Sequence, residues 1–212
     1  MDLMDYRRKM LAYQSVSVPT GYRKIEYAES TGNAFVLLPF GFDRTDEIEA
    51  KFALTKTSDN MQDKYIVSPS TWNNNNNRFG LGIHIAAGGT TRNVYTIGFG
   101  AASTGQTNLL PITVMDFTMQ IWTYKDNVFS IPSLGLTRDV SDIAFGGTTA
   151  NIKMFYGYGT NTAGKVAYYK HTHNGVKHHI IPIQKISDGT VEMYDAATKT
   201  ILSRTGTLLA PS

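Results

Sequence analysis

The stretch VAYYKHTHNGVKHHIIPI, Val166–Ile183, decides the fold. Two runs rich in Val, Ile and Tyr flank Asn174-Gly175. β-Branched and aromatic side chains suit a pleated, half-buried surface. Asn-Gly suits a two-residue type I′ turn, because both residues accept a positive φ. Folding the runs back across that turn sets His173 beside Val176, His171 opposite His178, and Tyr169 opposite Ile180. Side chains alternate between faces along a strand, so these six share one face. Local chemistry alone therefore predicts an antiparallel pair here.

The same alternation recurs outward from this hairpin. In Asp46–Leu54, Ile48, Ala50, Phe52 and Leu54 take one parity while Glu47, Glu49 and Lys51 take the other, the mark of a half-buried strand. Further strands are expected at Arg78–Ile85, Asn93–Phe99, Ile112–Tyr124, Val128–Ile131, Ile152–Tyr158 and Thr190–Tyr194. Lys125-Asp126-Asn127 and Ser187-Asp188-Gly189 read as turns between them. Gly88-Gly89-Thr90 and Gly146-Gly147-Thr148 also read as turns, since neither is followed by the Lys-Ser/Thr of a phosphate loop. No crossover helix separates the strands. Frequent turns without crossovers imply an all-β, antiparallel sandwich.

Composition agrees. The 212 residues suffice for one domain. Charged residues are 17% of the chain, low against a usual value of about 25%, and aromatics reach 11%, so disorder is not expected. The absence of cysteine removes disulfides, thiolate metal sites and thiol nucleophiles together. No apolar run reaches the ~18 residues of a membrane-spanning helix, so membrane insertion is not expected.

The charge is unevenly placed. The chain carries net +3, and residues 1–24 hold the same excess: Arg7, Arg8, Lys9, Arg23 and Lys24 outweigh Asp2 and Asp5. A nucleic-acid reader spreads its cations over a face of the fold, so nucleic acid is not an expected partner. Met1–Gln14 has no apolar core of the kind that heads a signal peptide, and secretory export is not expected. This segment has helical spacing but is too short to be stable alone. A two-part layout follows: residues 1–18 as a helical or extended docking segment with its linker, and residues 19–212 as the sandwich. Tyr6, Arg7, Arg8, Met10 and Leu11 are the candidate docking residues.

Two blocks resemble a known family. PTGYRKIEYAESTGNAFVLL (Pro19–Leu38) resembles the opening of concanavalin A-like (laminin-G-like) sandwich domains. GKVAYYKHTHNGVKHHIIPIQKISDGTVEMYDAATKTIL (Gly164–Leu202) is similar to their closing block, with Pro182, Asp188-Gly189 and Tyr194-Asp195 at matching intervals. Such domains are common in phages and in surface proteins of gut bacteria. The resemblance implies a concanavalin A-like jelly roll in a non-enzymatic virion protein: a head or tail decoration or a fibre subunit. It would be made in the host cytoplasm, attached to other virion proteins by its N-terminal segment, and homo-oligomeric. A free-standing carbohydrate-binding module is the alternative.

Candidate chemistry is sparse. Glu47 and Glu49 share parity but lie opposite the apolar stripe, as solvated strand residues do. Glu192 and Asp195 flank Tyr194 at a structural turn. No catalytic motif stands out and no cofactor is expected. Trp72, with Asn73, Asn75 and Arg78, offers an aromatic platform and hydrogen-bonding partners for host-surface glycans on one loop. Trp122, inside a strand, reads as packing or interface. His171, His173 and His178 share the hairpin face. They are weak metal candidates; they could instead titrate near pH 6–7, or stand hydrated at the hairpin tip.

Overall fold

The computed structural model describes residues 16–55, 61–69, 78–85, 93–100, 106–112, 117–148, 150–157 and 160–211. In chain order the strands are β1 (Tyr22–Lys24), β2 (Ala28–Thr31), β3 (Phe35–Leu37), β4 (Glu47–Leu54), β5 (Met61–Pro69), β6 (Arg78–Ile85), β7 (Asn93–Gly100), β8 (Gln106–Ile112), β9 (Gln120–Lys125) and β10 (Val128–Ile131). A 3-10 turn, Pro132–Leu134, leads into β11 (Leu136–Asp139), β12 (Ile152–Met154), β13 (Tyr156–Gly157), β14 (Thr160–Asn161) and β15 (Ala163–His173). The chain closes with β16 (Val176–Lys185), β17 (Val191–Asp195), β18 (Thr200–Ile201) and β19 (Arg204–Thr205).

These strands form two principal antiparallel sheets. The larger runs β11-β10-β9-β4-β15-β16-β17-β18, with β1 added to β16 and β2 to β15. The smaller runs β19-β3-β12-β5-β6-β7-β8. β13 and β14 pair only with each other. One buried cluster draws on both sheets. Ile48, Ala50, Phe52, Trp122, Tyr124, Val166 and Tyr169 come from the larger sheet; Val36, Ile66, Val67, Phe79, Phe99 and Met154 come from the smaller. The protein is therefore all-β and sandwich-like, with its apolar interior between the sheets.

The hairpin that decided the fold forms as its sequence dictates. Asn174 and Gly175 both take positive φ, 49° and 77°. Tyr169 pairs with Ile180, His171 with His178, and His173 with Val176. In β4, Ile48, Ala50, Phe52 and Leu54 are buried as the alternation requires, and Ala53 joins them. The turn at Asp126-Asn127 has positive φ at both residues, which gives β9 and β10 their tight hairpin.

Three expectations are corrected. The strand expected over Ile112–Tyr124 is two: β8 ends at Ile112 and β9 begins at Gln120. At the start of β9, the Gln120 side-chain amide donates back to Thr118 Oγ1 at 2.8 Å, a local bond at the strand entry. The strand expected over Ile152–Tyr158 breaks at Phe155, whose φ is +59°. That kink keeps the Phe155 ring wholly buried, and its amide still bonds to the Ile66 carbonyl at 2.6 Å. Gly146–Thr148 is not a turn. It runs beside Phe42, whose amide donates to Thr148 Oγ1 (2.6 Å) while the Thr148 amide donates back to the Phe42 carbonyl (2.8 Å).

β16 carries the unbroken apolar run Ile180–Ile183, and both of its faces are covered. Ile180 enters the main core. Ile181 and Ile183 form an outer cluster with Tyr194, against which Val16, Val18, Tyr22, Tyr168 and Ala196 pack. The extended segment before Pro19 thus lies over the outer face of the larger sheet.

The two sheets approach closely at Gly164 on β15. A Cβ there would lie 2.6 Å from Ile66 Cδ1 across the core and 2.7 Å from the Ala53 carbonyl oxygen. The methyl terminus can swing aside; the carbonyl cannot without disturbing β4. Gly164→Ala is expected to destabilise by about 1–3 kcal/mol, as overpacking does. Urea denaturation checks this, and unchanged stability would mean the sheets do not approach this closely.

Candidate functional site

The hairpin end meets the entry to β4. Register places His171 opposite Ile48 and Thr172 opposite Glu47, so Asp46 arrives beside His173. Asp46 also has the parity of Ile48 and Ala50, and it points inward with them. Its side chain is 1% exposed, and that of His171 is 0%. His173 is the outer member, with 21% of its side chain exposed.

One carboxylate oxygen collects three donors. His171 Nε2 donates to Asp46 Oδ2 at 2.8 Å, His173 Nδ1 at 2.8 Å, and the Asp43 amide at 2.8 Å. A carboxylate can only accept, so both imidazole nitrogens facing it carry hydrogen. At the far side of His171, Tyr169 Oη donates to Nδ1 across 3.1 Å. The Asn174 amide donates to His173 Nε2, also at 3.1 Å. Among the described residues, Asp46 Oδ1 is buried and has no hydrogen-bond partner.

Phe40 roofs this group. Its ring centroid lies 4.8 Å from that of His171, 5.9 Å from His173 and 4.2 Å from His178. The ring is 6% exposed, so it keeps water from the imidazoles. Burial raises the Asp46 carboxyl, but hydrogen bonds from His171, the Asp43 amide and His173 outweigh it and leave the group below its ordinary range. Burial likewise pushes the His171 imidazole below its ordinary value, against the pull of Asp46. Burial thus favours the uncharged ring, and the Asp46 contact sets a hydrogen on Nε2.

The three histidines do share one face, but they divide between two carboxylates. His178 Nδ1 bonds to Asp195 Oδ2 at 2.7 Å. Asp195 also accepts from the His179 and Ala197 amides and from Thr198 Oγ1, at 3.0, 3.1 and 2.9 Å. The Asp of the Tyr194-Asp195 motif is therefore the organiser of the turn into β18. His171 is buried, His178 nearly so, and His173 is partly exposed. Sequence reasoning missed Asp46 and Phe40. A carboxylate on the apolar parity of β4 was the available signal.

The other candidates separate clearly. Glu47 pairs with Lys125 at 2.9 Å, Glu49 with Lys170 at 2.7 Å, and Glu192 with Arg204 at 2.8 Å. Trp122 is buried and stacks on Phe52 at 5.1 Å, so it is packing. Tyr6, Arg7, Arg8, Met10 and Leu11 lie outside the described residues, as do Trp72, Asn73 and Asn75; Arg78 opens β6. On the outer face, Val16, Ser17, His179, Tyr194 and Lys199 line a groove of about 260 Å³. No described helix is long and apolar enough to cross a membrane. No family model, curated protein or solved structure matches this chain.

Asp195 yields a pH test. Burial raises its carboxyl, and the bonds from His178, His179, Thr198 and Ala197 bring it below the ordinary carboxylate value. A depressed folded-state pKa means stability that is complete above the unfolded-state value, near pH 4, and that is lost as pH falls through the folded one. Asp195→Asn should therefore cost ~1–3 kcal/mol at pH 7. The gap from the parent protein should close toward pH 2–3. Chemical denaturation at both pH values measures it, and a gap independent of pH would refute the assignment.

Proposed function

We propose that this chain is a non-enzymatic bacteriophage virion protein, a head or tail decoration or a fibre subunit. Its body is a concanavalin A-like sandwich held on the particle through residues 1–15 and displayed outward as a homo-oligomer. Loop residues Trp72, Asn73 and Asn75, with Arg78, take host-surface glycans. Single sugar contacts are weak, and many copies on one particle supply avidity.

The placement of the chain's two ends of business supports this reading. Val16 and Val18 lie on the outer face of the larger sheet, over Ile181, Ile183 and Tyr194. The cationic leader therefore joins the body at that face, beside the groove bordered by His179 and Lys199. The segment carrying Trp72 connects β5 to β6, both in the smaller sheet. The described residue that follows the leader thus lies by the larger sheet, and the strands that flank the Trp72 segment lie in the smaller one, which supports separate roles for the two segments. The resemblance of the opening and closing blocks of the sequence supports the family reading, which fold alone would not carry to function.

The test is a truncation that stops at residue 15, because Val16 and Val18 belong to the body's outer cluster. The shortened chain should melt cooperatively, within a few degrees of the parent, yet fail to enter particles when co-expressed with the neighbouring structural genes. Incorporation at the parental level would overturn the anchoring role. Trp72→Ala should abolish binding of the displayed protein on a glycan array, and equal binding by parent and variant would remove the glycan role.

A further inference from the structure

Asp46, His171 and His173 bring two imidazole nitrogens and a carboxylate oxygen to one buried point. Their ligating atoms, one from each residue, all lie within 4.8 Å of one another. Three donors crowd onto Asp46 Oδ2, while Oδ1 of the same buried carboxylate has no partner among the described residues. A buried acceptor left empty is costly. Two imidazoles and one carboxylate, meeting at a buried point, are also a donor set suited to a borderline-soft cation.

We propose that Asp46, His171 and His173 form a binding site for one first-row divalent cation, with zinc the best match. Zinc accepts nitrogen and carboxylate ligands at about 2.0–2.2 Å and commonly uses three protein ligands plus one open position. Side-chain adjustment would be needed to bring the three ligand atoms, now within 4.8 Å of one another, to such distances from a shared centre. His173, whose side chain is 21% exposed, gives the entry path. Phe40 packs against both imidazoles.

The outer groups fit the ligands. With the cation on Nε2 of His171, that proton moves to Nδ1 and is donated to Tyr169 Oη, 3.1 Å away. A hydroxyl accepts as readily as it donates. On His173 the proton moves to Nε2, where the Asn174 side chain turns its oxygen to receive it. Each imidazole stays neutral, and the positive ion meets a buried negative carboxylate. Such supporting partners are what fix a histidine ligand in place. Mg²⁺ and Ca²⁺ prefer all-oxygen shells and should not compete.

The bound ion would tie β15 to the start of β4, locking the hairpin end to the body. This is independent of any virion role. Chelator-treated full-length protein should bind one Co²⁺ with the intense visible bands of a four-coordinate site, and Zn²⁺ should displace it. Saturating Zn²⁺ should raise the melting temperature by ~5–10 °C. His173→Gln, at the outer and partly exposed position, should weaken Co²⁺ binding by at least ~10–100-fold. In the parent protein, NMR should show Zn²⁺ moving the imidazole signals of His171 and His173 more than those of His179. Absence of visible Co²⁺ bands, equal binding by the folded variant, or Zn²⁺ shifts confined to other histidines would each overturn the site.

Discussion

The structure turns on a buried carboxylate. Asp46 sits where the chain enters β4, and β4 is the strand that joins the two halves of the larger sheet: β9, β10 and β11 on one side, β15 through β18 on the other. Placing a charge there would cost several kcal/mol if it were isolated. Three N–H donors on Oδ2 make it tolerable, and two of them come from β15. The same bonds fix the β4–β15 register at its open end. A one-residue slip would turn His171 outward and leave the carboxylate unpartnered.

Much of this architecture is legible in the residues. Asn174-Gly175 admits one kind of turn, and that turn dictates every pairing from His173 to Tyr169. Alternation in β4 identifies its buried face correctly. What escapes is tertiary. Phe155 takes a strained left-handed conformation because its ring is worth more inside the core than its backbone is worth in a ladder. Gly146–Thr148 seeks Phe42, a partner about a hundred residues away that no local pattern announces. Asp46 stands on the apolar parity of its strand, an anomaly that only becomes meaningful once β15 supplies two imidazoles.

The histidines illustrate the same division. Their common face follows from the hairpin register alone. Their partners do not, since Asp46 and Asp195 reach them from separate elements. His178 joins a fully satisfied turn, while His171 and His173 share a carboxylate with one oxygen to spare. Equal residues on one face thus acquire different chemistry from what approaches them. The outer face behaves likewise. Ile181 and Ile183 continue an apolar run that a one-sided strand would not need, and the explanation is the segment bearing Val16 and Val18 that crosses them.

The most direct measurement is the tautomer of His171 in metal-free protein. Long-range ¹H–¹⁵N correlation near pH 7 distinguishes its two nitrogens. The expected result is hydrogen held on Nε2 against Asp46 and a bare Nδ1 facing Tyr169. A ring hydrogenated on Nδ1, or one averaging between the two forms in contact with water, would contradict the arrangement on which the hairpin end and its neighbours rely.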